Sequence, residues 1–167
     1  MKQKKELSDP IICKRVPLVV MIILTLTLFG LIPSIYADTD FETGKSEYLN
    51  GRFHHAEIYL RCAIEENPEL EEAYFYLGCI YDEQQKYDQA IEMFHIGMDL
   101  TENPAIYLMN MGQVFRHAGD YDQAIDSFEQ AIDLAPEYAD AYLNLGLTHY
   151  MNQDTQETIS SWEEYLS

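Results

Sequence analysis

His54 and His55 are adjacent, and His95, His117 and His149 follow at wider intervals. Imidazole is the commonest transition-metal ligand and the usual general base near neutral pH. Neighbouring residues on a helix do not share a face, so the 54/55 pair cannot chelate one ion from a helix. The other three histidines stand in no Glu-x-x-His or His-Glu-x-x-His frame. Paired acids occur at Glu65-Glu66, Glu71-Glu72 and Asp82-Glu83. Acid/base catalysis by such pairs needs a pocket that drives their pKa values apart, and the residues around them read as solvated helix faces. No carboxylate run has the D-x-D-x-D-G frame that calcium requires. Cys13, Cys62 and Cys79 form no C-x-x-C pair, which removes a zinc ribbon and a disulfide-stapled scaffold. There is no phosphate-cradling glycine loop, dinucleotide fingerprint or serine elbow. No nucleophile, base and orienting group come together. The chain therefore reads as a non-enzyme, with neither metal nor cofactor.

Charge narrows the partners. The 167 residues carry 10 Lys and Arg against 29 Asp and Glu, a net charge of −19. Nucleic-acid binding needs clustered bases to neutralise phosphates, so a nucleic-acid partner is excluded. Five of the bases (Lys2, Lys4, Lys5, Lys14 and Arg15) fall in the first 37 residues, leaving five against 27 acids in residues 38–167. Such asymmetry separates a targeting segment from a soluble domain.

Residues 16–32 read VPLVVMIILTLTLFGLI without a charge. Bases before the run and acids after it place the N-terminus in the cytoplasm and everything beyond residue 37 across the membrane. The run is longer than the ~7–15 apolar residues of a signal peptide and slightly shorter than the ~20 of a comfortable span. Residues 1–37 are expected to be either a signal peptide, cleaved after Ile35-Tyr36-Ala37, or a retained transmembrane anchor, with Pro33 breaking its helix. Both place the remainder outside the cytoplasm, periplasmic or extracellular.

That remainder is periodic. Gly44, Gly78, Gly112 and Gly146 recur at a constant step of 34, as do Ala56, Ala90, Ala124 and Thr158, and Leu60, Phe94, Phe128 and Trp162. Ala63, Gly97, Ala131 and Tyr165 form a further column, and the string YDQAI occurs at Tyr87–Ile91 and Tyr121–Ile125. Each period holds two apolar-periodic segments of about a dozen residues, separated by turn residues such as Asn50-Gly51 and Gly119-Asp120. That pattern is an αα-hairpin. A glycine inside a helix costs ~1 kcal/mol relative to alanine, so four in register imply close helix packing. One hairpin cannot bury its own apolar stripe, and stacking neighbours bury it in common. Pro104 falls two residues later in its period than Pro68 and Pro136, which predicts a different turn there.

Leu77-Gly78-x-x-Tyr81 followed by Ala90, Phe94 and Gly97 resembles the tetratricopeptide repeat. Met111-Gly112 through Phe115, Ala124, Phe128, Ala131 and Pro136 is similar to it again. The resemblance covers repeats at about 37–70, 71–104, 105–138 and 139–167. It implies an all-α fold, an α-solenoid of stacked antiparallel helix pairs wound into a right-handed superhelix, after the N-terminal hydrophobic helix. It also implies peptide binding on the inner face of each first helix. Carried onto this sequence, that face holds Phe41 and Tyr48, then Phe75 and Cys79, then Ile106, Met109, Gln113 and Arg116, then Leu143, Leu147 and Tyr150. Acids such as Glu72, Asp82 and Glu83 stand toward one end. The Lys and Asn clamp of chaperone-binding members is missing, since its positions are Phe41, Lys45, Phe75, Cys79, Met109 and Gln113. The same geometry puts Cys79 inside and Cys62 on an outer surface, which disfavours a bridge between them.

The expected function is an extracytoplasmic protein–protein interaction scaffold or assembly factor, holding an apolar peptide or helix of a protein partner in the concave groove. The alternative is a structural membrane protein that self-associates through Trp162, Tyr165 and Leu166 of the last helix, giving a homo-oligomer. An enzyme is the least supported reading.

Overall fold

The computed structural model describes residues 32–153 and 155–166, with side chains from Thr39 onward apart from residues 155 and 156. The basic stretch, Cys13 and the apolar run as far as residue 31 lie outside the described residues, and so does the expected hydrophobic helix. Among the described residues, no helix is long and apolar enough to cross a membrane. The elements are α1 (Ile32–Leu49), α2 (Phe53–Glu66), α3 (Glu71–Glu83), α4 (Tyr87–Leu100), α5 (Ala105–Ala118), α6 (Tyr121–Leu134), α7 (Ala139–Met151) and α8 (Thr155–Tyr165). Pro33 lies on α1, at the edge of the described residues. The backbone of α1 runs unbroken through Ile35-Tyr36-Ala37.

Each hairpin turns at the same place in its period. Gly51, Gln85, Gly119 and Gln153 form one more column and have left-handed backbone, with φ of 70, 58, 82 and 66°. Behind them the chain closes in the Schellman manner. The N–H of Arg52 donates to the Glu47 carbonyl (2.9 Å), that of Lys86 to Tyr81 (2.8 Å), and that of Asp120 to Phe115 (2.9 Å). Glycine adopts this conformation freely, whereas a residue with a Cβ pays roughly 1–2 kcal/mol. Two repeats bear that cost through glutamine. Between repeats, Leu70 and Tyr138 enter their helices from non-helical backbone (ψ 83 and 84°), while Pro104 is already helical (φ −68°, ψ −20°). The offset proline does change the turn.

The glycine column is a packing constraint. A Cβ on Gly44 would lie 2.8 Å from Leu60 Cγ, one on Gly78 2.5 Å from Phe94 Cε1, and one on Gly112 2.7 Å from Phe128 Cε1. Gly146 meets the Trp162 indole in the same way. Every column glycine thus faces the bulky column residue on the second helix of its own hairpin. The first helices α1, α3, α5 and α7 touch one another in succession, whereas among the described residues no second helix touches another second helix. The first helices therefore form the inner layer of the stack.

A second contact joins successive repeats. Gly97 on α4 faces the Tyr107 ring on α5. The equivalent residues one period before and after are small on both sides, Ala63 with Ala73 and Ala131 with Ala141, and all four are fully buried. In the middle interface the sizes are redistributed: the second helix gives up its Cβ and the first helix brings a whole phenol. Tyr107 is completely buried, and its hydroxyl donates to Glu71 Oε1 at 2.5 Å. Burial first, and then the Glu71 carboxylate, push its pKa up.

The buried cluster runs without interruption from Phe41 to Val114, and a smaller one follows around Ala124, Phe128 and Leu145. Cys62 is buried rather than on an outer surface, and Cys79 is a free thiol.

Two outcomes follow from these contacts. Gln85→Gly removes the left-handed strain and raises unfolding free energy by about 1 kcal/mol, measured by chemical denaturation. Gly97→Ala costs ~1–3 kcal/mol by overpacking and Tyr107→Ala about 3–5 kcal/mol by leaving a cavity. The double variant loses less than the two together, with a coupling of at least ~1 kcal/mol. Strict additivity would show that Gly97 does not make room for the ring.

Candidate functional site: the inner face of the helix stack

The spacing rule picks side chains on the first helices, and the fold sorts them into two groups. Phe41 is buried. Phe41, Tyr48, Phe75 and Cys79 all belong to the main core or pack directly against it. The expectation of an open groove is corrected at Phe41, which is buried, while Tyr48, Phe75 and Cys79 are partly buried because neighbouring first helices supply rings to the space between them. Tyr76 is the hub on the α1 side, with ring centroids 6.0 Å from Phe41, 5.3 Å from Tyr48 and 5.7 Å from Phe75. Tyr107 closes the α5 side, edge-on to Phe75 at 5.7 Å and to Phe94 at 6.2 Å. Edge-to-face pairs at these separations add ~0.5–1.5 kcal/mol each beyond the area they bury. Lys45 Nζ stands over both Phe41 (5.6 Å) and Tyr76 (5.8 Å), a cation over two ring faces.

Cys79 shares a hydrogen bond with the Tyr48 hydroxyl. Burial first, then the carboxylates of Asp82 and Glu83, push the thiol up to about 12 against the lowering effect of that bond. Burial pushes Tyr48 up to about 12 as well. Both groups are neutral at physiological pH, and the thiol is a packing group rather than a nucleophile.

Polar contacts bridge the next two first helices. His117 Nδ1 lies 2.9 and 3.0 Å from the two carboxylate oxygens of Asp82, joining α5 to α3. The adjacent Arg116 reaches α7, with its guanidinium 3.4 Å from Asn144 Oδ1. Its Nε is buried without a hydrogen-bond partner. Desolvation lowers the Arg116 pKa, partly offset by the Asp82 carboxylate. Met109 and Gln113 are half-buried beside these groups. Asp82 is thus committed to a contact within the molecule, unlike Glu72 and Glu83, which are exposed.

The remaining residues are open. Ile106 at the start of α5 is exposed, and Leu143, Leu147 and Tyr150 on α7 are 43, 36 and 63 % exposed. Their steps of four and three residues, with Met151 beside them, make one continuous apolar stripe along α7. Sequence spacing found this stripe. It missed Tyr76 and Tyr107, whose signal was available: each is a bulky ring at a position filled by a smaller residue in a neighbouring repeat. Among the described residues no three His, Cys, Asp or Glu side chains are grouped to hold a metal.

Known proteins bear on this arrangement at the level of the repeat. Residues 63–92 match the tetratricopeptide repeat, and residues 112–153 match a TPR repeat. Solved structures share the whole stack. A crystal structure of MamA superposes with a TM-score of 0.72 at 23 % identity, over 78 % of this chain and 76 % of that one. MamA from Desulfovibrio magneticus RS-1 gives 0.72 at 15 % identity, over 78 and 73 %. The pilF structure of Pseudomonas aeruginosa gives 0.69 at 21 % identity, over 80 % of this chain and 61 % of that one. At such identities the likeness establishes the fold. No curated protein matches the chain in sequence.

Proposed function

We propose that the chain is a protein-interaction scaffold outside the cytoplasm that holds an apolar peptide or helix of a partner along the C-terminal half of its inner face. The open stripe of Leu143, Leu147 and Tyr150 carries this reading. Monomeric soluble domains rarely leave contiguous apolar surface without a use, and this stripe belongs to a first helix of the stack. Ile106 adds a further exposed apolar side chain on α5. Binding draws on apolar desolvation, roughly 25 cal/mol per Å² before the costs of association. The basic, apolar N-terminal segment supports export, whether it is cleaved or kept as an anchor. The domain performs no chemistry of its own. MamA and pilF share the architecture and are similar in fold.

Capture with the affinity-tagged chain from its own cells tests this. Leu147→Glu places a charge in the middle of the stripe and abolishes recovery of the partner, with far-UV circular dichroism unchanged. Full recovery with a folded Leu147→Glu variant would overturn the inner-face reading.

A further inference from the structure

Charge is spread unevenly along the stack. From Tyr87 to Ser167 the sequence has 15 Asp and Glu and a single Lys or Arg, which is Arg116. The fold sets that cation on α5, whose neighbours in the inner layer are α3 and α7. Helices of the molecule itself therefore stand on both sides of it.

A guanidinium offers five N–H donors and a charge delocalised over its nitrogens. Arg116 uses little of that capacity. Its Nη2 donates to Asn144 Oδ1 at 3.4 Å, a long contact to a neutral amide. Its Nε is buried without an acceptor. Among the described residues no carboxylate comes close enough to form an ion pair with it. The nearest acid to act on its charge is Asp82, yet both Asp82 oxygens are engaged by His117 Nδ1, at 2.9 and 3.0 Å. Burial nonetheless desolvates the side chain enough to lower its pKa. A charge taken partly out of water is costly unless a counter-ion offsets the loss, and within the molecule Arg116 has none. The residue keeps intermediate exposure, so a counter-ion can arrive from outside.

The surroundings suit one carboxylate and no more. A carboxylate at the outer nitrogens forms charge-assisted hydrogen bonds, stronger than neutral ones, and compensates the delocalised charge even though Nε is enclosed. Glu72 and Glu83 on α3 and Asp140 on α7 are exposed on the flanking helices, and like charges brought against them cost affinity. A segment with several acids is repelled where a segment with one is held. Arg116 is none of the clamp positions of chaperone-binding members, so the anion in question is a side chain within a segment rather than a chain end.

We infer that Arg116 is the polar anchor of the inner face and takes the side-chain carboxylate of a single Asp or Glu within an otherwise apolar, uncharged segment of the partner. This rests on the scaffold reading and names the one charged residue the partner brings.

The probe is a random peptide library displayed on phage as N-terminal fusions, which leaves no free peptide C-terminus, selected on the full-length protein. The expected pool carries one Asp or Glu among apolar residues. Synthetic copies of selected peptides, acetylated and amidated, bind about tenfold or more tightly than twins with the acid changed to its amide, by isothermal titration calorimetry. In Arg116→Gln the acid and amide twins bind equally, with circular dichroism unchanged, so the cycle isolates the pair. Arg116→Met, which keeps the stem, gives the same equality should Arg116→Gln not fold. Twins that bind the wild type equally would overturn the inference, as would an acid preference that persists in both variants. A purely apolar pool that Leu147→Glu abolishes means that this inference fails and the scaffold reading stands. An acid-dependent pool that Arg116→Gln abolishes and Leu147→Glu leaves intact means that the stripe fails and the Arg116 seat stands. A pool no richer than that from an unrelated protein overturns both.

Discussion

Backbone-close contact between a glycine on one helix and a large side chain on the second helix of the same hairpin sets the geometry of the whole chain. At Gly78 and Gly112 the facing group is a phenylalanine ring, at Gly146 an indole, at Gly44 a leucine. Protein interiors are packed at crystal-like density, so a methyl group at any of these positions has nowhere to go. The two helices of each hairpin are therefore held at one separation and one crossing. Repetition of that unit at constant pitch turns four hairpins into one curved stack, with the first helices inside. The apolar stripes of the hairpins become a shared core only because the spacing is the same each time.

Within that frame, function depends on how much of the inner face the molecule fills for itself. From α1 to α5 much of it is filled: Tyr76 and Tyr107 bring rings against Phe41, Tyr48 and Phe75, while Ile106 stays exposed. Polar bridges from Asp82 to His117 and from Arg116 to Asn144 take over between α3 and α7. Beyond them Leu143, Leu147 and Tyr150 are exposed. Rigidity is concentrated at one end of the stack and accessible apolar surface at the other.

The architecture was legible in the sequence because it rests on periodicity. Glycine, alanine and aromatic columns in a common register predicted the hairpins and their order, the resemblance to the tetratricopeptide repeat implied which helices lie inside, and the displaced Pro104 predicted its altered turn. The left-handed turn column was harder to read, since Gln85 and Gln153 hide among Gly51 and Gly119; glutamine carries no turn signal, and only the shared period connects them. The inner-face residues were named as one set, and their burial sorts them, with Phe41 buried and Leu143, Leu147 and Tyr150 exposed. Whether Phe75 or Leu143 faces open space depends on the side chain of the next first helix, a pairwise property across repeats that spacing within one repeat does not contain. Cys62, expected on an outer surface from its place in the repeat, is buried in the fold.

Hydroxyl-radical footprinting of the full-length protein, read residue by residue by mass spectrometry, tests the division of the inner face most directly. Tyr150, Leu147 and Trp162 are expected to be oxidised readily, while Phe41, Phe75 and Tyr107 are modified far more slowly, at rates that rise only on unfolding. Oxidation of Phe75 and Tyr107 as fast as that of Tyr150 in the folded protein would contradict the account, because the groove would then be open along its whole length.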